Sequence, residues 1–266
     1  MNRMLRSALY AIAVLQGIVG IGMALHLPFF DGLWLSVLPE ATPLSLSFVG
    51  SIFAAAAAST LWCLVSDEDA GLAGVGLDYG VIMLPLAAFF AGRIGANATQ
   101  APYAAMTLAG AAFGAYLYWT TRRLPFRRSQ QPPRLVRASF VVFTLALVFY
   151  GGRMVLGVPN TMPWPTSAAE SVVYGWMFLG AAAYFVYALV RPSWGNAGGQ
   201  LAGFLAYDLV LLPPFLARFG APIPPQFVTG HWIYTGIVTI SGLLAGYYLF
   251  VDPATRMKID RNEKAD

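Results

Sequence analysis

The stretch LAGVGLDYGVIMLP, residues 72–85, returns as LAGFLAYDLVLLPP at residues 201–214. Each copy opens on Leu-Ala-Gly, runs apolar, holds one aspartate and closes on proline. Asp78 and Asp208 therefore stand inside hydrophobic segments, where a charge is costly and its presence invites a functional explanation. Further matches flank this one. RSALYAIAVLQGIVGIGMALHLP (6–28) parallels RASFVVFTLALVFYGGRMVLGVP (137–159). GSIFAAAAAS (50–59) parallels GWMFLGAAAY (175–184), and TLAGAAFGAYLYW (107–119) parallels TISGLLAGYYLFV (239–251). One match means little in a chain rich in Gly, Ala and Leu. Four in the same order, at nearly constant offset, mark a duplication, and a repeat decides architecture before any local feature does.

Composition fixes the class. Of 266 residues, 58% are hydrophobic and 11% charged, with a mean hydropathy of +0.63. Soluble domains carry about 25% charged residues. Segments near the ~20 residues that span a bilayer occur at 7–25, 44–65, 72–92, 102–121, 138–157, 171–190, 201–218 and 232–251. The expected fold is all-α: eight transmembrane helices as two tandem four-helix repeats, 1–121 and 137–251. A basic linker, 122–136, joins them, and a charged tail follows at 252–266. Four helices per unit is an even number, so both units enter the membrane the same way up, related by a pseudo-two-fold along the membrane normal. The repeat also identifies the first segment, which imitates a signal peptide, as a structural helix.

Net charge is +4. With the N-terminus inside, Arg3, Arg6, Arg122, Arg123, Arg127, Arg128, Arg134, Arg137, Arg191, Arg256, Lys258, Arg261 and Lys264 fall on the inner side, and only Arg93, Arg153 and Arg218 towards the outside. This is the positive-inside pattern of an N-in/C-in protein, expected in a bacterial inner membrane. It also accounts for the basic balance without nucleic acid. Cys63 is the only cysteine, so no intramolecular disulfide can form.

The polar residues left inside the apolar stretches form two groups. The first is an intramembrane set, Asp78, Tyr79, Tyr207 and Asp208. Alignment sets Asp78 against Tyr207 and Tyr79 against Asp208, and the one-residue shift turns the side chain by ~100°. The set reads as a proton or cation site, or as carboxyls that tie helices together. The second group lies at the outer ends. Arg153 and Glu170 suit a salt bridge across a short hairpin. With Arg218, His231 and Trp232 they outline a pocket for an anionic headgroup or quinone, whereas snorkelling to the interface is the plainer fate of such arginines. Trp34 and Trp164 read as interfacial anchors. His26 and His231 lack repeat partners, which does not suit axial haem ligation, and with Asp31 and Glu40 they are too scattered for zinc. No metal and no cofactor is expected, and no Ser–His arrangement with an ordered base points to an enzyme.

Small residues supply the packing signal. Gly110/Gly114 and Gly242/Gly246 are GxxxG pairs at matched positions, and Gly76/Gly80 bracket Asp78; such pairs let helix backbones approach closely, within one bundle or between subunits. The proline- and tryptophan-bearing outer loop MPWPTSAAE (162–170), the helix with Gly175 and small residues behind it, and the turn RPSW (191–194) together resemble bacterial four-helix membrane proteins of the DoxX-like kind. The resemblance implies two such units fused, of a type of which some members associate with quinone-linked oxidases. It carries no active-site residue. Three roles follow: an accessory subunit of a membrane complex, docked on other membrane subunits or a second copy through its glycines; a small proton- or cation-coupled transporter using Asp78 and Asp208; or a quinone- or lipid-binding membrane protein.

Overall fold

The computed structural model describes residues 1–257. Among these the chain is 76% helix and has no strand. Nine α-helices follow one another: α1 (Arg3–Ala24), α2 (Pro28–Leu35), α3 (Pro43–Val65), α4 (Leu72–Ala91), α5 (Gln100–Thr121), α6 (Arg134–Val155), α7 (Ala168–Val190), α8 (Trp194–Arg218) and α9 (Pro225–Gly246), the last continued by a π-helical turn, Tyr247–Val251. Lys258, Arg261 and Lys264 of the expected tail lie outside the described residues.

Seven of the helices are long and apolar enough to cross a membrane: α1, α3, α4, α6, α7, α8 and α9. Of the eight expected spans, α5 is the exception. It has 22 residues, but takes its bulk from Ala, Gly, Tyr and Trp rather than Leu, Ile and Val. The surface agrees with a multi-pass membrane protein. Ile18, Leu84, Leu108, Leu145, Leu209 and Leu243 are exposed, while Ser45, Ser47, Ser51, Thr60, Asn196 and Gln200 are buried. Water would reverse that distribution; hydrocarbon tolerates it, because lipid tails are as apolar as leucine.

Sequence neighbours pair first, α1 with α3, α4 with α5, α6 with α7 and α8 with α9. The inner contacts then run between residues 1–121 and 137–251, with α3 lying along α8 and α4 along α7, while α3 barely touches α4 and α7 barely touches α8. The halves interlock through four central helices.

Backbone proximity makes these pairs. A Cβ at Gly20 would lie 2.8 Å from the Gly50 carbonyl oxygen, and one at Gly50 would lie 2.8 Å from that of Gly20. Between α6 and α7, Gly151 and Gly175 make the same approach, at 3.0 and 2.8 Å from each other's carbonyl oxygens. Gly76 and Gly114 do so between α4 and α5, at 2.6 and 2.7 Å. The ends of α1 and α6 also share a closure. His26 (φ 51°) and Gly157 (φ 73°) are left-handed, and the next amide donates five residues back, Leu27 to Gly22 and Val158 to Arg153, each at 2.9 Å. This is the Schellman form of helix end.

Phe48, fully buried on α3, is the hub of the central seam. Its ring meets Tyr174 (4.8 Å), Phe178 (5.7 Å), Trp164 (5.8 Å) and Tyr207 (6.2 Å). Trp164 thus departs from its expected interfacial role: it is fully buried and its indole N–H donates to Ser45 Oγ at 3.1 Å. The loop folds inward because the aromatic seam offers the ring neighbours and Ser45 offers the acceptor.

The elements depart from the sequence reading in three places: the short α2 is additional, and α8 and α9 each start seven residues before the expected 201 and 232. The segment WGNAGGQ looks like a loop by composition, yet Ser193 caps it, accepting from the Asn196 amide at 3.2 Å. Its glycines fit against buried neighbours, Gly195 against Glu68, Gly198 against the Trp62 ring, and Gly199 against Tyr184 and Cys63.

The glycine approach predicts an asymmetry. Gly175→Ile should cost on the order of 1–3 kcal/mol by overpacking, whereas Gly246→Ile, at a site with nothing within 4 Å, should stay within about 0.5 kcal/mol of wild type. Thermal unfolding of the two variants in detergent measures the difference.

Candidate functional site

The four intramembrane polar residues point in different directions. Asp78, half-buried on α4, faces α7, where a Cβ on Gly180 would come 2.6 Å from its Oδ1. That oxygen is enclosed and has no hydrogen-bond partner. Tyr79 faces α1 and exchanges hydrogen bonds with Gln16, at 2.7 Å from Nε2 and 2.9 Å to Oε1. Tyr207 faces α9, hydroxyl to hydroxyl with Tyr234. Asp208 is buried beside Gly242, where a Cβ would stand 3.4 Å from Oδ2. The Ser241 hydroxyl lies close enough to Asp208 to turn its proton to the carboxyl; turned instead to the α9 carbonyls of Ile237 (2.9 Å) and Val238 (3.1 Å), it leaves both Asp208 oxygens without a partner.

Asp208 and Tyr207 border a cavity of about 260 Å³ enclosed by α3 and α6–α9. It runs from the loop at Asn160–Pro163 towards Ser59, Tyr184 and Gln200 near the opposite end. The walls are apolar and aromatic. Phe204 anchors them, with ring neighbours Phe185 at 4.7 Å and Phe143 at 4.8 Å. The side between α6 and α9 is open to the surroundings, since the lining residues Tyr150, Ile233 and Ile237 are also exposed on the outer surface. At the deep end the Tyr184 hydroxyl and Gln200 Oε1 are buried without partners, as both Asp208 oxygens are. An unpaired buried polar group costs about 1–3 kcal/mol, so this concentration of them beside an empty space is the most chemically pointed feature of the fold. Asp78 and Tyr79 do not line it.

The outer group is not gathered into one pocket. Glu170 is buried and completes a capping box, accepting from the Ser167 amide (2.8 Å) and from the Tyr174 hydroxyl (3.0 Å). The expected Arg153–Glu170 salt bridge is therefore absent among the described residues: the third position of a helix cap already satisfies the carboxylate. Arg153 instead lies over the Phe149 ring at 5.6 Å. His231 is buried, stacked on Phe215 at 4.9 Å and bonded through Nε2 to the Phe215 carbonyl at 3.0 Å. Phe219 links it to the exposed Trp232. Among the described residues no hydrogen bond or ion pair joins Arg218 to this group.

A second polar centre was not anticipated. The loop SDED at 66–69 joins α3 to α4 and receives the linker 122–136. Glu68, almost fully buried, accepts the backbone amides of Arg127 (3.0 Å) and Arg128 (2.7 Å). The start of α8 completes the joint, the Trp194 and Gly195 amides donating to the Gln130 (2.7 Å) and Arg128 (2.9 Å) carbonyls. Asp67 pairs with Arg6 and, at 3.3 Å, with Arg127, and Arg191 donates to the Arg122 carbonyl. The sequence signal was there, three acids in a row facing a linker full of arginines; what it hid was that one carboxylate binds backbone rather than guanidinium. Burial pushes the Glu68 carboxyl above the usual glutamate range, against the two amide bonds and the Arg128 and Arg127 charges that draw it down.

No family model, curated protein or solved structure matches the chain.

Glu68→Ala should release the linker, so that trypsin cuts after Arg127 and Arg128 at least several-fold faster than in wild type. The sign of the pH effect follows from the upward shift: the folded chain holds this proton more tightly than the unfolded chain. The contribution of Glu68 to stability is thus complete below the ordinary glutamate value of ~4.3 and lost as pH rises through the elevated one. Wild-type thermal stability measured across acidic to neutral pH should carry this falling component, and Glu68→Gln should remove it.

Proposed function

We propose that the chain is a membrane-embedded binding protein for a small lipid-soluble molecule, taken up from the bilayer into the cavity between α3 and α6–α9. One observation carries the reading: an apolar space of about 260 Å³ bordered by Asp208, a buried carboxyl with no hydrogen-bond partner. Binding pockets are mostly apolar with a few polar groups that fix orientation, and the open side between α6 and α9 faces where lipid would be. This favours the ligand-binding role over that of an accessory subunit. Of the glycines expected to dock a partner, Gly110 packs on Met83, Gly114 on Gly76 and Tyr79, and Gly242 on Asp208; Gly246 alone faces open space. A transporter using Asp78 and Asp208 as one site has less support, since they face different helices.

The finer architecture belongs to the same reading. Eight crossings, N-in/C-in, in a bacterial inner membrane are favoured by two contacts of α5. Its Gln100 end donates to the Val37 carbonyl, and its other end meets Arg191 through the Arg122 carbonyl. These fit a helix that runs the full depth of the bundle. Duplication, and with it the likeness to two fused DoxX-like units, is supported by matched residues making matched contacts: Gly20–Gly50 with Gly151–Gly175, and the two left-handed helix ends.

Duplication also accounts for the cavity. In the first copy Tyr79 and Gln16 fill the space between α4 and α1 with a hydrogen-bonded pair. Their counterparts are Asp208 and Leu147, two shorter side chains that both line the cavity. Likewise Tyr184 covers Gly74, whereas its counterpart Ser59 covers Gly203. The second site is the first with its plug removed.

Protein purified in mild detergent should therefore release a bound apolar compound on solvent extraction, detected by mass spectrometry. The double substitution Leu147→Gln with Asp208→Tyr, which rebuilds the plug, should lose it without loss of thermal stability. Equal recovery from the wild-type and plugged proteins would sink the proposal.

A further inference from the structure

The unpartnered atoms around the cavity specify the head of its occupant. We infer that the occupant is a lipophilic amine bound as its ammonium ion, with the cationic head at Asp208 and the apolar body along the aromatic wall. The inference rests on the cavity being a binding site and adds the charge and polarity of what fills it.

Of the side-chain atoms near the cavity that are buried and lack a hydrogen-bond partner, Asp208 Oδ1, Asp208 Oδ2 and Gln200 Oε1 are acceptors, and the Tyr184 hydroxyl can act either way. The deficit is one of donors. A quinone or ester head brings only further acceptors and would leave most of these atoms unpaired. An ammonium group at Asp208 brings up to three N–H donors, enough for both carboxylate oxygens, and a positive charge. Gln200 stands eight residues earlier on α8, ~12 Å along the helix axis, so its Oε1 lies beyond the reach of that head.

Charge points the same way. The cavity lining contains one acid, Asp208, and no lysine, arginine or histidine. A carboxyl in such a place keeps its proton unless a counter-charge offsets the desolvation of the carboxylate; the protein supplies none there, so a counter-charge has to come with the occupant. The walls supply what an organic cation favours. Phe143, Phe185, Phe204, Tyr207 and Tyr234 surround the space, and aromatic faces attract cations most strongly where water is excluded. A metal ion would require several more oxygen ligands and would gain nothing from these rings.

Asp78 provides an internal contrast. It too has an unpartnered oxygen, but it packs against Gly180 with Ile82 beside it and lines no comparable cavity. A buried acid alone does not make the site; Asp208 has the acid, the space and the aromatic wall together, and Asp78 does not line this cavity.

The test compares two probes of the same shape, 4-phenylbutylamine and 4-phenylbutanol, by isothermal titration calorimetry on the full chain in lipid nanodiscs. Wild type should bind the amine about tenfold tighter or more, the difference expected for hydrogen bonds to a charged group. Asp208→Asn should erase that preference while retaining the alcohol. If this variant does not purify as a single species, Asp208→Ser serves in its place. The plugged Leu147→Gln/Asp208→Tyr protein should bind neither probe. Equal binding of amine and alcohol by wild type, tighter binding of a short-chain benzoquinone than of the amine, or an amine preference that survives loss of the carboxyl overturns the ammonium assignment and leaves the cavity reading standing. Failure of wild type to bind either probe, or undiminished binding by the plugged protein, overturns both.

Discussion

Helices surrounded by lipid gain nothing by hiding leucine from leucine, so what holds this chain together is how closely its backbones can approach. The Gly20–Gly50, Gly151–Gly175 and Gly76–Gly114 contacts, with carbonyl oxygens 2.6–3.0 Å from where a Cβ would stand, set the separation of three helix pairs. Everything larger follows from those separations. Once α1 lies on α3 and α6 on α7, the aromatic side chains around Phe48 can close the seam between the halves, and Trp164 can be drawn from the loop into that seam. Where α8 and α9 meet, Leu205 stands at the position that Gly76 holds in α4. The cavity lies beside this pair.

The exchange of Asp-Tyr for Tyr-Asp at 78–79 and 207–208 now has a structural meaning. On a helix a shift of one residue moves a side chain ~100° round the axis. The phenol that meets Gln16 in one copy is replaced in the other by a carboxyl that meets no one. On the proposed duplication, three exchanges, Tyr79 for Asp208, Gln16 for Leu147 and Tyr184 for Ser59, leave one position filled and the other hollow.

The all-helical, multi-pass character is legible in the sequence, because hydrophobic length is a property of the chain itself: seven of the expected spans are helices long and apolar enough to cross a membrane. Their ends are less legible, α8 and α9 each starting seven residues before apolarity does. The misses share a cause. WGNAGGQ is too polar to belong to an apolar span, yet it is helical because Gly195 and Gly198 make room for Glu68 and the Trp62 ring and Asn196 bonds the carbonyls of Tyr187 and Arg191. Glu170 was paired with Arg153 by proximity of charge, whereas a helix cap three residues long claimed it first. Asp208 was singled out correctly as a residue but not as a site: a cavity is an absence, created by the sizes of Leu147, Ser59 and Gly203 on three different helices, and no local pattern encodes it. The Glu68 joint was hidden for a similar reason, since its partners are backbone amides, which every residue has.

That joint has a mechanical consequence. Through Glu68, the Arg127 and Arg128 amides and the first turn of α8, the hairpin between α3 and α4, the linker and the start of α8 are bonded into one piece at one end of the molecule. A rocking of the two halves against each other would have to break several short hydrogen bonds there. At the opposite end the halves meet through packed rings and the side-chain bond from the Trp164 indole to Ser45 Oγ. Hydrogen bonding between the halves is thus concentrated at the Glu68 end, and the Asn160–Pro163 end of the cavity lies away from it.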